Sequence, residues 1–138
     1  MRKLHVVTAV VLLLCAFAAS AAELPPGKWW RRPEVVKRLA LADDQQTRLD
    51  AIFRDTAGGL IDSRADIEKI MVAIRGELDQ PQLNRANLQR LAGELSAARG
   101  RLFERELMML VDMRSVLTEP QWSTLKDHLE RMRAQRRR

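Results

Sequence analysis

Leu117-Thr118-Glu119-Pro120-Gln121-Trp122 decides how this chain is built. It stands between two stretches of helical apolar periodicity and holds the only proline after Pro81. Thr118 is a favoured N-cap, proline is tolerated in a first helical turn, and Gln121 lies three residues after the cap. Leu117 precedes the cap and Trp122 takes the fourth helical position, which is the spacing of a hydrophobic staple. The stretch therefore ends one helix and starts another at a fixed angle. Trp122, Leu125, Leu129 and Met132 give that last helix its buried face.

Upstream, Leu88, Leu91, Leu95, Ala98, Leu102, Met109 and Met113 mark the inner stripe of a long helix from about Asn84 to Val116. Asp79-Gln80-Pro81-Gln82-Leu83 reads as a turn. Before it, Leu49, Phe53, Thr56, Leu60, Ser63, Ile67, Ile70 and Ile74 alternate steps of four and three. They predict a first long helix from Asp43 to about Leu78. The register runs unbroken through Gly58-Gly59, so one helix weakened or bent there is expected, not two. Asp43 is read as its cap, with Gln46 three residues on. Pro33 to Leu39 predicts a short helix with proline at its first position. No strand alternation competes. Two long helices with a short connection lie antiparallel, so the fold class is all-α, a four-helix hairpin subunit.

The first 22 residues read as a secretory signal peptide. Arg2 and Lys3 precede an apolar run from Val6 to Phe17, and the small residues Ala18 to Ala22 suit cleavage. The run is short for a membrane span. Residues 23–32 form an aromatic and basic lead-in, expected to be flexible around Pro25-Pro26-Gly27. Residues 33–135 form the helical domain, and residues 136–138 a basic tail. The single cysteine, Cys15, lies inside the apolar run, so the exported chain has no thiol and needs no disulfide. Removing Arg2 and Lys3 from 24 basic residues leaves 22 against 18 acidic ones, a net charge of +4. Export argues against a nucleic-acid partner, and no recognition motif is present. Few bulky side chains make a thin core, which points to a homodimer burying more apolar surface.

Leu117-Thr118-Glu119-Pro120-Gln121 resembles the Leu-Thr-x-x-Gln motif of the Spy/CpxP family, whose motif typically occurs twice. The second copy here is Leu41-Ala42-Asp43-Asp44-Gln45, where Ala42 replaces threonine. Trp29-Trp30-Arg31-Arg32-Pro33 and the following Glu34 to Leu39 look like members described as periplasmic heavy-metal sensors or resistance proteins. The resemblance covers nearly the whole chain after residue 22. It implies a periplasmic, cradle-shaped homodimer. The roles it implies are ATP-independent chaperoning of unfolded or misfolded envelope proteins, restraint of a sensor kinase, and metal sensing or resistance. The chaperone role is the leading expectation. Metal resistance and kinase regulation are the alternative.

Leu41, Asp43, Gln45, Leu117, Thr118 and Gln121 are expected to serve helix capping rather than chemistry. Arg64 and Arg75 are eleven residues apart and share a helix face, as do Arg90 and Arg101. Together with Trp29 and Trp30 they are candidate client-binding residues, although one of the two tryptophans is expected to cover the end of the hairpin instead. A solvated face balanced by Glu68, Asp79, Glu94 and Glu104 is the plainer account. His128, the only histidine after His5, and Met132 one turn on are weak metal candidates. A dedicated metal site is not favoured, because closed sites usually need three or four good ligands. No cofactor is expected. Without a thiol, a phosphate loop or a histidine-centred constellation, an enzyme is not expected either. Arg131, Arg133, Arg136, Arg137 and Arg138 suit the negative end of a helix dipole, and any membrane contact would be peripheral.

Overall fold

The computed structural model describes residues 27–137. The expected signal peptide, the start of the lead-in and Arg138 lie outside the described residues. A 3-10 turn, Trp29–Arg31, leads into four helices: α1 (Pro33–Leu39), α2 (Asp43–Leu78), α3 (Arg85–Val116) and α4 (Glu119–Arg136). No strand occurs among the described residues, and the fold is all-α.

Helix α2 has 36 residues and is continuous through Gly58 and Gly59. At 1.5 Å per residue it is about 54 Å long. The break that two adjacent glycines invite does not occur. At Gly59 the missing side chain has a use, because the Arg105 guanidinium of α3 occupies the place where a Cβ would be. Asn84 caps α3 by accepting from the Asn87 N–H at 3.0 Å. Contacts between α2 and α3 advance in opposite senses along the two helices. Gln45 at the start of α2 meets Val116 at the end of α3, and Gly59, fourteen residues further on, meets Arg105, eleven residues back. The two long helices are therefore antiparallel, joined at residues 79–84.

The core sits at one end of this pair. Trp29, Trp30, Val35, Leu39, Leu41, Leu49, Met113, Val116, Leu117 and Leu125 form one buried cluster. Ile52, Phe53, Met109, Trp122 and Leu129 pack against it. Further along the hairpin, only Leu60, Ser63, Leu91 and Ala98 are buried among the described residues. The apolar stripes predicted for both long helices face each other there, yet most of their members are only half-covered. Two helices alone cannot enclose their own seam, so the distal arm is thin by construction.

Helix α1 ends in a tight reversal. Ala40 is left-handed at φ 50° and ψ 47°, and the Leu41 N–H reaches back to the Val36 carbonyl at 3.0 Å. This is a Schellman closure with alanine where glycine is usual. A left-handed alanine costs about 1 kcal/mol. Ala40→Gly is therefore expected to raise stability by up to about 1 kcal/mol, read as an upward shift of the urea midpoint at unchanged slope. A fall in midpoint would show that the turn is not strained.

Candidate functional site

The two copies of the five-residue motif meet at the base of the hairpin. Gln45 and Gln121 are each the third residue of a helix, and their side-chain amides pair reciprocally. Gln45 Nε2 donates to Gln121 Oε1 at 2.9 Å, and Gln121 Nε2 donates to Gln45 Oε1 at 3.0 Å. Each Oε1 also accepts from the backbone N–H that opens its own helix, Ala42 at 3.1 Å and Thr118 at 2.9 Å. The second donor of each amide goes to a carbonyl that precedes the other copy. Gln45 donates to Val116 at 3.0 Å, and Gln121 to Leu39 at 3.2 Å. A primary amide has two donors and two acceptor positions, and both amides use all four. The arrangement ties the ends of α1 and α3 to the starts of α2 and α4 in one closed network.

The capping around this clasp differs between the copies. Thr118 caps α4: the Gln121 N–H donates to its Oγ1 at 3.4 Å, and Gln121 reaches back to the Thr118 N–H. In the other copy Asp43 is not the cap. It is the first helical residue, and Ala42 occupies the N-cap with φ −72° and ψ 157°. Alanine has no side-chain acceptor, so only the glutamine half of a capping box exists there. The residue that reaches back is Gln45, not Gln46. The Gln46 side chain is buried, accepting from Arg31 and donating to the Leu41 carbonyl, both at 3.5 Å. Asp43 and Asp44 still suit the positive end of the α2 dipole. Two opposite changes follow. Thr118→Ala should cost about 1 kcal/mol, while Ala42→Thr should gain a similar amount by completing the missing cap. Thermal melts of both variants check this. An Ala42→Thr protein no more stable than the parent would refute the assignment of the cap.

Trp29 and Trp30 are only 1 % exposed. Their rings meet edge-on, with centroids 5.4 Å apart, and Trp30 lies 5.6 Å from Phe53. Neither indole is a surface for a client in this conformation; both belong to the core. The lead-in is thus anchored from residue 28 onwards, and both tryptophans pack, where a packing role is expected from the sequence for one of them. Its fastener is Asp50 on α2, which the sequence did not single out. Asp50 Oδ1 accepts from Trp30 Nε1 at 2.9 Å, and Oδ2 accepts from Arg31 Nε at 2.9 Å and also from its NH2. Lys28 Nζ lies 3.3 Å from Oδ1. Spacing could have suggested a carboxylate facing this basic stretch, but α2 carries many acids and nothing in a linear reading separates Asp50 from them.

The hydrogen bond from Arg31 is the main cause that holds the Asp50 carboxyl below the usual carboxylate range, followed by those from Trp30 and Lys28. A carboxylate lowered by folding stabilises the fold above its unfolded pKa, about 3.9. That contribution is lost as pH falls from there through the folded value. Asp50→Asn should therefore flatten the fall in stability below about pH 4. Urea midpoints measured across the acid range check this, and an unchanged acid slope would remove Asp50 from the account.

The hairpin arginines are mostly spoken for. Arg64 pairs with Glu106 at 3.0 Å, Arg75 with Glu68 at 2.9 Å, and Arg90 with Glu94. Arg101 is exposed on α3. These residues do not converge on one cleft. The hairpin also exposes apolar side chains: Ile61, Val72 and Leu78 on α2, Leu83 in the turn, and Phe103, Leu107, Met108 and Val111 on α3, all between 42 % and 64 % exposed. Phe103, Leu107 and Val111 recur every four residues, so they form an apolar stripe on the side of α3 away from α2.

His128 is partly buried, and its Nδ1 lies 2.5 Å from the Arg38 NH1 of α1. Arginine is a donor only, so Nδ1 accepts. Burial first, then the charges of Arg38 and Arg131, push the imidazole pKa down; Glu34 acts the other way. The nitrogen lone pair that a metal would need faces a guanidinium, in a positive surrounding. No group of three or more His, Cys, Asp or Glu that could hold a metal ion occurs among the described residues.

A family model described as heavy-metal resistance matches residues 5–124. No curated protein and no solved structure matches significantly. Among the described residues the donor set does not fit a resident metal ion: no three His, Cys, Asp or Glu side chains come together, and His128 turns its Nδ1 to Arg38.

Proposed function

The chain belongs to the heavy-metal resistance family, within the Spy/CpxP-like all-α group, and from that premise we propose that it is an exported, periplasmic stress protein that holds unfolded or misfolded envelope proteins without ATP. The observation that carries this reading is the exposed apolar surface of the hairpin arm, from Ile61 to Leu83 and from Phe103 to Val111. Such a surface, rimmed by charge, marks an interaction site more often than chance. It offers many weak contacts and no deep pocket, which suits varied partners over a single ligand. The motif residues serve as scaffold, locking the base so that the arm projects. A homodimer that joins two arms into a cradle belongs to the same proposal, as it would shelter part of this stripe and leave the rest for clients.

The second reading is metal resistance or sensing, alone or through a sensor kinase, and the family match favours it. The two readings separate in one assay. Aggregation of a denatured client should be suppressed by the purified protein without ATP. Suppression should survive a chelator and weaken with salt if charge assists capture. No suppression at any ratio on several clients would overturn the chaperone reading. Calorimetry showing stoichiometric zinc, nickel, cobalt or copper binding tighter than micromolar, lost in His128→Ala, would put the metal reading ahead.

A further inference from the structure

The positive charge of this chain is concentrated in one place. Residues 23–125 hold 16 basic and 16 acidic side chains, whereas residues 126–138 hold six basic and two acidic ones. The entire net charge after residue 22 therefore belongs to the second half of α4 and the residues that follow it. Elsewhere, ion pairs recur along the surface: Arg64 with Glu106, Arg75 with Glu68, Arg90 with Glu94 and Arg114 with Glu119. By contrast, no carboxylate lies within ion-pair distance of Arg131, Arg133 or Arg137 among the described residues. All three are exposed.

Helix α1 adds to the same end. Arg38 reaches across to His128, and Arg32 and Arg131 act on the same imidazole. Arg38 of α1 and Arg131 of α4, from segments far apart in sequence, thus flank one histidine. On α4 the cations do not form a single face. Successive residues turn by about 100°, so Arg131 and Arg133 point to opposite sides of the helix and Arg137 lies near Arg133. Residues 123–138 hold no aromatic side chain to stack on a base. Residues 133–138 hold one apolar side chain, Ala134. A shaped protein partner is recognised through one complementary face with a desolvated centre. A phosphate-rich lipid surface attracts every cation within about a Debye length, roughly 10 Å, which is about the width of a helix, so it needs neither a single cationic face nor an apolar anchor.

From this distribution we propose that the C-terminal half of α4, with Arg38 beside it, docks the protein on anionic phospholipid headgroups. The contact is electrostatic and peripheral. It keeps the hairpin arm free, because the arm leaves the base through α2 and α3 while the charge lies on α4.

The test is co-sedimentation of the purified protein, with its N-terminus established by mass, on phosphatidylglycerol-rich and on pure phosphatidylcholine vesicles. The expected result is binding to the first and not the second, weakening with salt. Arg131→Gln/Arg133→Gln/Arg137→Gln should reduce partitioning roughly tenfold or more, since such cations contribute nearly additively at a charged membrane. Arg54→Gln/Arg85→Gln/Arg99→Gln removes the same charge from the hairpin and should retain binding. Helical circular dichroism of both variants confirms that they fold. Inorganic phosphate should compete no better than chloride at equal ionic strength. Equal binding to both vesicle types, equal losses in the two triple variants, or specific competition by free phosphate would overturn the proposal. So would binding to an acidic protein or nucleic acid with none to vesicles.

Discussion

Trp30→Ala should lower stability by about 3–5 kcal/mol, the range for truncating a fully buried aromatic side chain. Against a typical total of about 5–15 kcal/mol, that is enough to unfold part of the population at growth temperature. The ring is 1 % exposed, stacks edge-on with Trp29, touches Phe53, and donates to Asp50 at 2.9 Å. Its removal opens a cavity in the large apolar cluster at the base of the hairpin and frees the lead-in from α2. Trp30→Phe keeps most of the volume but leaves Asp50 one donor short. Trp29→Phe is the informative contrast. Trp29 Nε1 is buried with no hydrogen-bond partner among the described residues, so its loss relieves a desolvation cost. The order expected from urea midpoints is Trp29→Phe mildest, Trp30→Phe intermediate and Trp30→Ala most severe. If Trp30→Ala shifted the midpoint by less than Trp29→Phe, the indole would not be the keystone of this end.

The same residues show where linear reading stops. The boundaries of α1 to α4 follow from apolar spacing and from proline and turn residues, because those are local properties with a helical period. The stripe containing Leu49, Leu60 and Ser63 and that containing Leu91, Ala98 and Met113 carry all the buried positions of the long helices apart from Gln46 and Val116. What escaped is every contact that joins distant segments. Asp50 is one of several acids on α2 until the fold places Lys28, Trp30 and Arg31 around it. Asp43 looks like a cap because aspartate is a good one, yet the tertiary clasp sets the N-cap a residue earlier, at Ala42, with Asp43 the first helical residue. The pairing of Arg38 with His128 has no sequence signal, since their spacing reflects only the way α1 folds back along α4. The exposed stripe of Phe103, Leu107 and Val111 was open to detection, as the period of four is plain in the sequence. It was masked by the stronger inner stripe of the same helix.

Gln121→Ala should cost about 2–3 kcal/mol, more than the loss of an average hydrogen bond. The reason lies in the closure of the network. Gln121 satisfies the Thr118 N–H, the Leu39 carbonyl and both halves of the Gln45 amide. Its removal leaves those groups unpaired in a partly buried place, where an abandoned donor or acceptor costs about 1–3 kcal/mol if water cannot reach it. Gln45→Ala should do the same to Gln121, the Ala42 N–H and the Val116 carbonyl. The two losses must not add. Once either glutamine is gone the other has lost its partner, so the double variant should fall short of the sum by roughly 1 kcal/mol or more. Gln121→Glu sharpens the test. A carboxylate still accepts from Thr118 but has nothing to donate to Leu39 or to Gln45, and it faces two oxygens. The variant should be poorest at neutral pH and recover in acid, where a protonated carboxyl regains one donor. Additive single changes, or an acid response no different from the parent, would mean that the two motif copies cap their own helices independently. Coupling would mean that the repeated motif works as one joint, and that the hairpin arm owes its angle to a pair of amides on separate helices.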